Sequence, residues 1–126
     1  MPPVPRILVV DDDPKLRARV CQAVADELPD SDIGEAATAS EAIERVQTEE
    51  WTLVIMDIQM PGASGLDALA VIKVARPRLP VSIMSMLPED PYAAIALGLG
   101  AIAFVPKEQL PQRLRGIIEL ALSLGA

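Results

Sequence analysis

Hydrophobic residues in this chain follow two alternating patterns. Ile7-Leu8-Val9-Val10 and Leu53-Val54-Ile55-Met56 are short unbroken aliphatic runs, the pattern of strands buried on both faces. Between such runs, apolar positions recur at helical spacing. Leu16, Val20, Val24 and Leu28 form one stripe of a helix that Pro29 closes. A weaker strand covers Asp32 to Ala37. Thr38 and Glu41 then make a capping box, opening a second helix with Ala42, Ile43 and Val46 inward. The third strand ends at Asp57, Pro61-Gly62 breaks the chain, and Leu66, Leu69, Ala70 and Lys73 mark a third helix ended near Pro77. Val81 to Met86 is a fourth strand. Asp90 and Pro91 read as N-cap and first residue of a short helix that Gly98 and Gly100 end. Ala101 to Val105 is a fifth strand, and Leu110, Leu114, Ile117, Ile118, Ala121 and Leu122 stripe a last helix.

Five strands alternating with five helices predict an α/β fold with a parallel sheet. Right-handed crossovers place the carboxyl ends of all strands on one edge, where such sheets hold ligands. With 126 residues the chain suits one core: residues 6–126 form a single domain, preceded by a loose tail at 1–5.

Composition narrows the function classes. Lys and Arg number 11 against 18 Asp and Glu, for a net charge of −7, so the segment is a poor match for nucleic acid. Cys21 is the single cysteine and fits a reducing compartment, and no apolar run approaches the length of a membrane span. The expectation is a soluble, cytoplasmic protein that binds no membrane. Histidine is absent, which excludes His-based metal sites and triads and means the chain cannot itself carry a phosphohistidine.

The topology selects a chemical constellation. The carboxyl ends of strands one, three, four and five bear Asp11 and Asp12, Asp57, Ser85, and Lys107. Taken singly, each has an ordinary reading as a cap, turn or surface residue; their coincidence on one edge gives the pattern its weight. Two like charges about 4 Å apart repel by about 4 kcal/mol at an effective dielectric near 20. Lys107 offsets one of three carboxylates, and a hard divalent cation with oxygen ligands offsets the rest. Few carboxylates with several retained waters is the pattern of Mg²⁺ bridging protein to phosphate.

The segments Ile7 to Asp12, Met56-Asp57-Ile58-Gln59-Met60-Pro61-Gly62 and Gly100 to Lys107, in this order and at these separations, resemble the receiver domain of two-component response regulators. The resemblance spans essentially the whole chain. It implies a flavodoxin-like (βα)5 doubly wound sheet of strand order 2-1-3-4-5, acting as a signalling domain rather than an enzyme. Asp57 is then the acceptor of a phosphoryl group from a sensor histidine kinase, and the domain assists its own phosphorylation and dephosphorylation. Asp12, Asp57 and the backbone carbonyl of Gln59 bind Mg²⁺ directly, and Asp11 acts mainly through a metal-bound water. Lys107 and Ser85 contact phosphoryl oxygens, and Phe104 is the switch aromatic that turns into the space Ser85 vacates. The resemblance also implies pairing of two copies through the last helix or the fourth-helix face.

Asp13-Pro14 and Pro106-Lys107-Glu108 resemble the branch whose members usually carry a C-terminal helix-turn-helix, although Glu108 stands where a Pro often follows the lysine. The sequence is therefore read either as a piece of a longer transcription regulator, the favoured alternative, or as a stand-alone receiver. Met86 stands where the family usually has Ala or Gly, and is expected to crowd the entrance to the site. Gln59 and Leu87 hold positions that tune dephosphorylation, and an apolar Leu87 predicts slow hydrolysis. Two alternatives compete with the switch reading. A pseudo-receiver, an interaction module never phosphorylated, usually lacks one of these key residues. An aspartyl-phosphate phosphatase of the haloacid-dehalogenase type needs a second Asp where Gln59 stands. No Ser/Thr/Gly-rich loop follows the first strand to hold flavin phosphate.

Overall fold

The computed structural model describes residues 4–125. Strand β1 (Arg6–Val10), helix α1 (Pro14–Glu27), β2 (Asp32–Ala36), α2 (Ala39–Thr48), β3 (Leu53–Asp57), α3 (Gly65–Ala75), β4 (Val81–Ser85), α4 (Glu89–Gly98), β5 (Ala103–Pro106) and α5 (Leu110–Gly125) follow in order, with one 3-10 turn at Lys107–Gln109 before α5. The strands form one parallel sheet ordered β2-β1-β3-β4-β5, as expected for a flavodoxin-like fold.

Successive side chains on a strand point to opposite faces, so each aliphatic run feeds two cores. Leu8, Val10, Val54, Met56, Val81 and Ile83 pack on one face with Ala42, Val46, Leu69 and Ile72 of α2 and α3. Ile7, Val9, Leu53, Ile55 and Met84 pack on the other with Val20 and Val24 of α1 and Leu114, Ile117 and Ile118 of α5. The two helical layers fix the sheet, and the sheet fixes the loops at its carboxyl edge. Among the described residues no helix is long and apolar enough to cross a membrane.

Several boundaries depart from the sequence pattern for identifiable reasons. The inward face of α3 is Gly65, Ala68, Leu69 and Ile72, leaving Leu66, Ala70 and Lys73 half-buried on its flanks. β4 ends at Ser85, and Met86 turns out to solvent, 69% exposed. α4 begins at Glu89, but Asp90 is extended within it (φ −92°, ψ 128°), the backbone of a cap rather than of a helix. β5 starts two residues late. Gly100 takes φ +106° and the Ala101 N–H still donates to the Ala96 carbonyl, so the turn persists to Ile102. Leu122 lies beyond the buried stripe of α5, which ends at Ala121. Of the expected N-terminal tail, residues 1–3 lie outside the described residues; Pro5 accepts a hydrogen bond from the Asp32 N–H at 2.8 Å.

Candidate functional site

The chain leaves the sheet after β1 through a tightly bonded turn. The Asp11 N–H makes the last rung to the Ala36 carbonyl, and Asp11 Oδ1 accepts from the Asp13 N–H at 3.0 Å. Asp13 in turn caps α1, accepting from the N–H groups of Lys15 and Leu16. Asp11 is fully buried, whereas Asp12 is exposed.

Asp57 closes β3 and is 3% exposed, with Oδ1 accepting from the Gln59 N–H at 3.2 Å. Helix α3 starts directly over this strand end. The Gly65 N–H donates to the Ile58 carbonyl at 2.8 Å, and any side chain at 65 would collide with the backbone carbonyl of Asp57. Gly65 thus lets a helix terminus sit against the acceptor's own backbone. The exposed loop between them turns at Gly62, where φ is +85°.

Lys107 follows β5 and reaches back across the edge. Its Nζ lies 2.9 Å from Asp11 Oδ2 and 3.1 Å from Asp57 Oδ2, with the side chain 12% exposed. One carboxylate oxygen from each of Asp11, Asp12 and Asp57 falls within 4.8 Å of the others. Burial raises the Asp57 pKa; Lys107 and the Gln59 N–H pull it down without cancelling the rise, to which Asp11 adds. For Lys107 burial again opposes the charge, yet hydrogen bonds and attraction from Asp11 and Asp57 outweigh it and raise the pKa.

These residues fit a divalent cation. The donors are all hard oxygens, and three carboxylates face a single ammonium. Exposed Asp12 leaves one side of the cluster open to water.

The remaining predicted residues lie on or just after β3, β4 and β5. Ser85 is fully buried at the end of β4, its Oγ accepting from the Leu87 N–H at 2.8 Å. Phe104 is buried among the residues of the α2–α3 core. Gln59 is exposed, and half-buried Leu87 packs against the same core. Met86 helps line an apolar cleft of about 390 Å³ between α1 and the start of α5, whose wall includes Asp11 and Lys107.

Two residues that the sequence reading passes over also shape the site. Gly65 is one; a glycine just behind the N-cap Ser64 is a local sign of close backbone approach. The other is Arg17, whose Nη1 donates to the Asp11 carbonyl at 2.7 Å. No sequence signal marks it, because its partner is a backbone atom. The Cys21 thiol, pushed up to about 11 by burial and by Glu35, is no candidate nucleophile.

Comparison with known proteins identifies the family and the fold. A family model described as response regulator receiver domain matches residues 7–119. The transcriptional activator protein ExaE of Pseudomonas putida is 35% identical over 105 residues, covering 83% of this chain and 49% of its own length. A protein-glutamate methylesterase/protein-glutamine glutaminase of Pyrococcus abyssi is 40% identical over 104 residues, covering 81% of this chain and 28% of its own length. The chain thus spans half or less of these relatives. Among solved structures, a LuxR-family two-component response regulator from Aurantimonas sp. superposes with a TM-score of 0.88 at 28% identity, over 96% of this chain and 86% of that one. The response regulator domain of Thermotoga maritima CheB gives 0.83 at 29% identity, over 96% and 98%.

Proposed function

The chain belongs to the response regulator receiver domain family, and on that premise we propose that Asp57 accepts a phosphoryl group from the phosphohistidine of a sensor kinase and thereby switches an output. The observation that carries this reading is the Lys107 ammonium held between Asp11 and Asp57, beside the Asp12 carboxylate.

An Asp57 carboxylate oxygen attacks phosphorus in line. An O–P bond forms as the P–N bond to imidazole breaks, and the imidazole leaves with the electron pair. Lys107 hands its hydrogen bond from Asp57 to a phosphoryl oxygen while keeping Asp11, so the ammonium stays in place through the step. Ser85 accepts the Leu87 N–H and keeps its own O–H free to donate to a second phosphoryl oxygen. Asp12, Asp57 and the Gln59 carbonyl would hold Mg²⁺, with Asp11 acting through a metal-bound water. When bound, the ion supplies positive charge against the oxygens of the transferring group.

Met86, on the wall of the cleft it shares with Asp11 and Lys107, limits access of donors and water, and apolar Leu87 cannot orient a hydrolytic water, so the acyl phosphate is long-lived. Movement of Ser85 and Phe104 carries the change toward α4 and β5 by shifting a two-state equilibrium. Ile95 and Leu97 on α4, and Leu120 and Leu124 on α5, are exposed apolar residues suited to pairing of two copies.

Incubation with Mg²⁺ and acetyl phosphate, followed by intact mass, tests the reading. The wild type gains a single phosphoryl group and Asp57→Asn gains none; no adduct on the wild type, or an equal adduct on the variant, contradicts it.

A further inference from the structure

Asp11 and Asp12 pose a geometric problem. Just past the end of β1, Asp11 is fully buried and Asp12 exposed, yet both carboxylates contribute oxygens to the same cluster. The backbone must turn between them and hold that turn against the repulsion of the two charges.

We propose that Arg17, braced by Glu35, is the positioning residue that fixes the peptide joining Asp11 to Asp12 and so aims both carboxylates at one cation. The inference rests on the reading of this edge as a Mg²⁺-dependent phosphoryl site.

The N–H of Asp11 is the last rung of β1 on β2, bonded to the Ala36 carbonyl. Its carbonyl belongs to a fully buried residue at the point where the chain leaves the sheet. A buried carbonyl left without a donor is destabilising, so this one needs a partner. Arg17 supplies it: Nη1 donates to the Asp11 carbonyl at 2.7 Å and Nε to Glu35 Oε1 at 2.9 Å. A planar guanidinium held at two points, the end of β1 and the end of β2, has little freedom to rotate. Arg17 is itself anchored one turn into α1, its N–H bonded to the carbonyl of the capping residue Asp13 at 2.9 Å. The loop is thus closed upon itself, from Asp11 through the cap to Arg17 and back to Asp11. Because the peptide is planar and trans, fixing the Asp11 carbonyl also fixes the direction of the Asp12 N–H.

Charge separates this role from that of Lys107. The Lys107 ammonium touches the carboxylates of the cluster directly. The Arg17 charge is taken up by Glu35, outside the cluster, with 18% of the arginine side chain exposed. What Arg17 contributes is therefore orientation rather than neutralisation.

The test is Mg²⁺ affinity by titration calorimetry, measured alongside metal-free unfolding, in the full chain. Replacing the pair as Arg17→Met with Glu35→Gln removes the brace without changing net charge. The expected result is Mg²⁺ affinity reduced by about tenfold, the usual scale for losing a residue that orients a metal ligand. Arg17→Lys, which keeps a donor but not the planar fork, is expected to fall about threefold below wild type. A double variant that loses stability but binds Mg²⁺ like wild type overturns the proposal, since Arg17 would then only support the fold. If the double variant does not fold, Arg17→Lys decides alone, and wild-type affinity there overturns the proposal. Absence of Mg²⁺ binding by the wild type itself overturns the reading of the edge as a metal site, and the inference with it.

Discussion

Where the strands begin, Arg6 and Arg45 lie over the Trp51 ring, 4.3 and 4.9 Å from its centre, and both donate to Glu49. The Trp51 N–H reaches the Arg45 carbonyl at 3.0 Å, and the Glu49 carboxyl is drawn down to about 2 by Arg45 and Arg6. Where the strands end, the balance is reversed. Asp11, Asp12 and Asp57 share one ammonium, and burial holds the Asp57 pKa above its ordinary value. One end of the sheet places its charges where partners satisfy them. The other gathers three carboxylates around one ammonium, and that imbalance is what the proposed cation would offset.

The largest expected effect breaks the first end. Trp51→Ala removes the platform for two guanidinium groups and is expected to lower unfolding free energy by roughly 3 kcal/mol in urea titration, leaving phosphoryl acceptance intact. A comparable loss of acceptance would mean that the two ends are not independent.

The second prediction concerns access to the other end. Decay of the acyl phosphate, followed by intact mass, should quicken about fivefold in Met86→Ala or Leu87→Asn, equivalent to about 1 kcal/mol in the barrier. Wild-type decay that is no slower than that of either variant contradicts the roles given to these side chains.

Titration sharpens the contrast further. An aspartate whose folded-state pKa is raised costs stability when ionised. Metal-free Asp57→Asn should therefore be more stable than wild type at neutral pH. The gap should close as pH falls through the raised native value toward 3.8, the unfolded one. Glu49 behaves oppositely. Its contribution is present above 4.5 and lost as pH falls through about 2, so the advantage of wild type over Glu49→Gln should shrink in acid. Denaturation midpoints between pH 2 and pH 7 check both signs together.

The smallest effect lies between the two ends. Ser82, in the middle of β4, is fully buried and its hydroxyl has no partner among the described residues. Ser82→Ala should raise stability by up to about 1 kcal/mol with no change at either end, readable as a shifted urea midpoint.

The central strands were legible in the sequence because burial on both faces makes them unbroken aliphatic runs, as in β1 and β3. The edge strand β2, Asp-Ile-Gly-Glu-Ala, is half exposed and left a weaker mark. Strand-end position alone placed Asp11, Asp12, Asp57 and Lys107 on a common edge. Arg17 and Gly65 stayed hidden because their partners are backbone atoms of Asp11 and Asp57, which no side-chain pattern reports. The Trp51 cluster was hidden for another reason: Arg6, Arg45 and Glu49 meet only once β1 and α2 are in place.

The most direct test asks which carboxylate carries the phosphoryl group. After reaction with acetyl phosphate and Mg²⁺, borohydride reduces an aspartyl phosphate to homoserine, which peptide sequencing by mass spectrometry can locate. The account predicts homoserine at position 57 alone. Homoserine at position 11 or 12, or none in a chain that retains its fold and binds Mg²⁺, would contradict it.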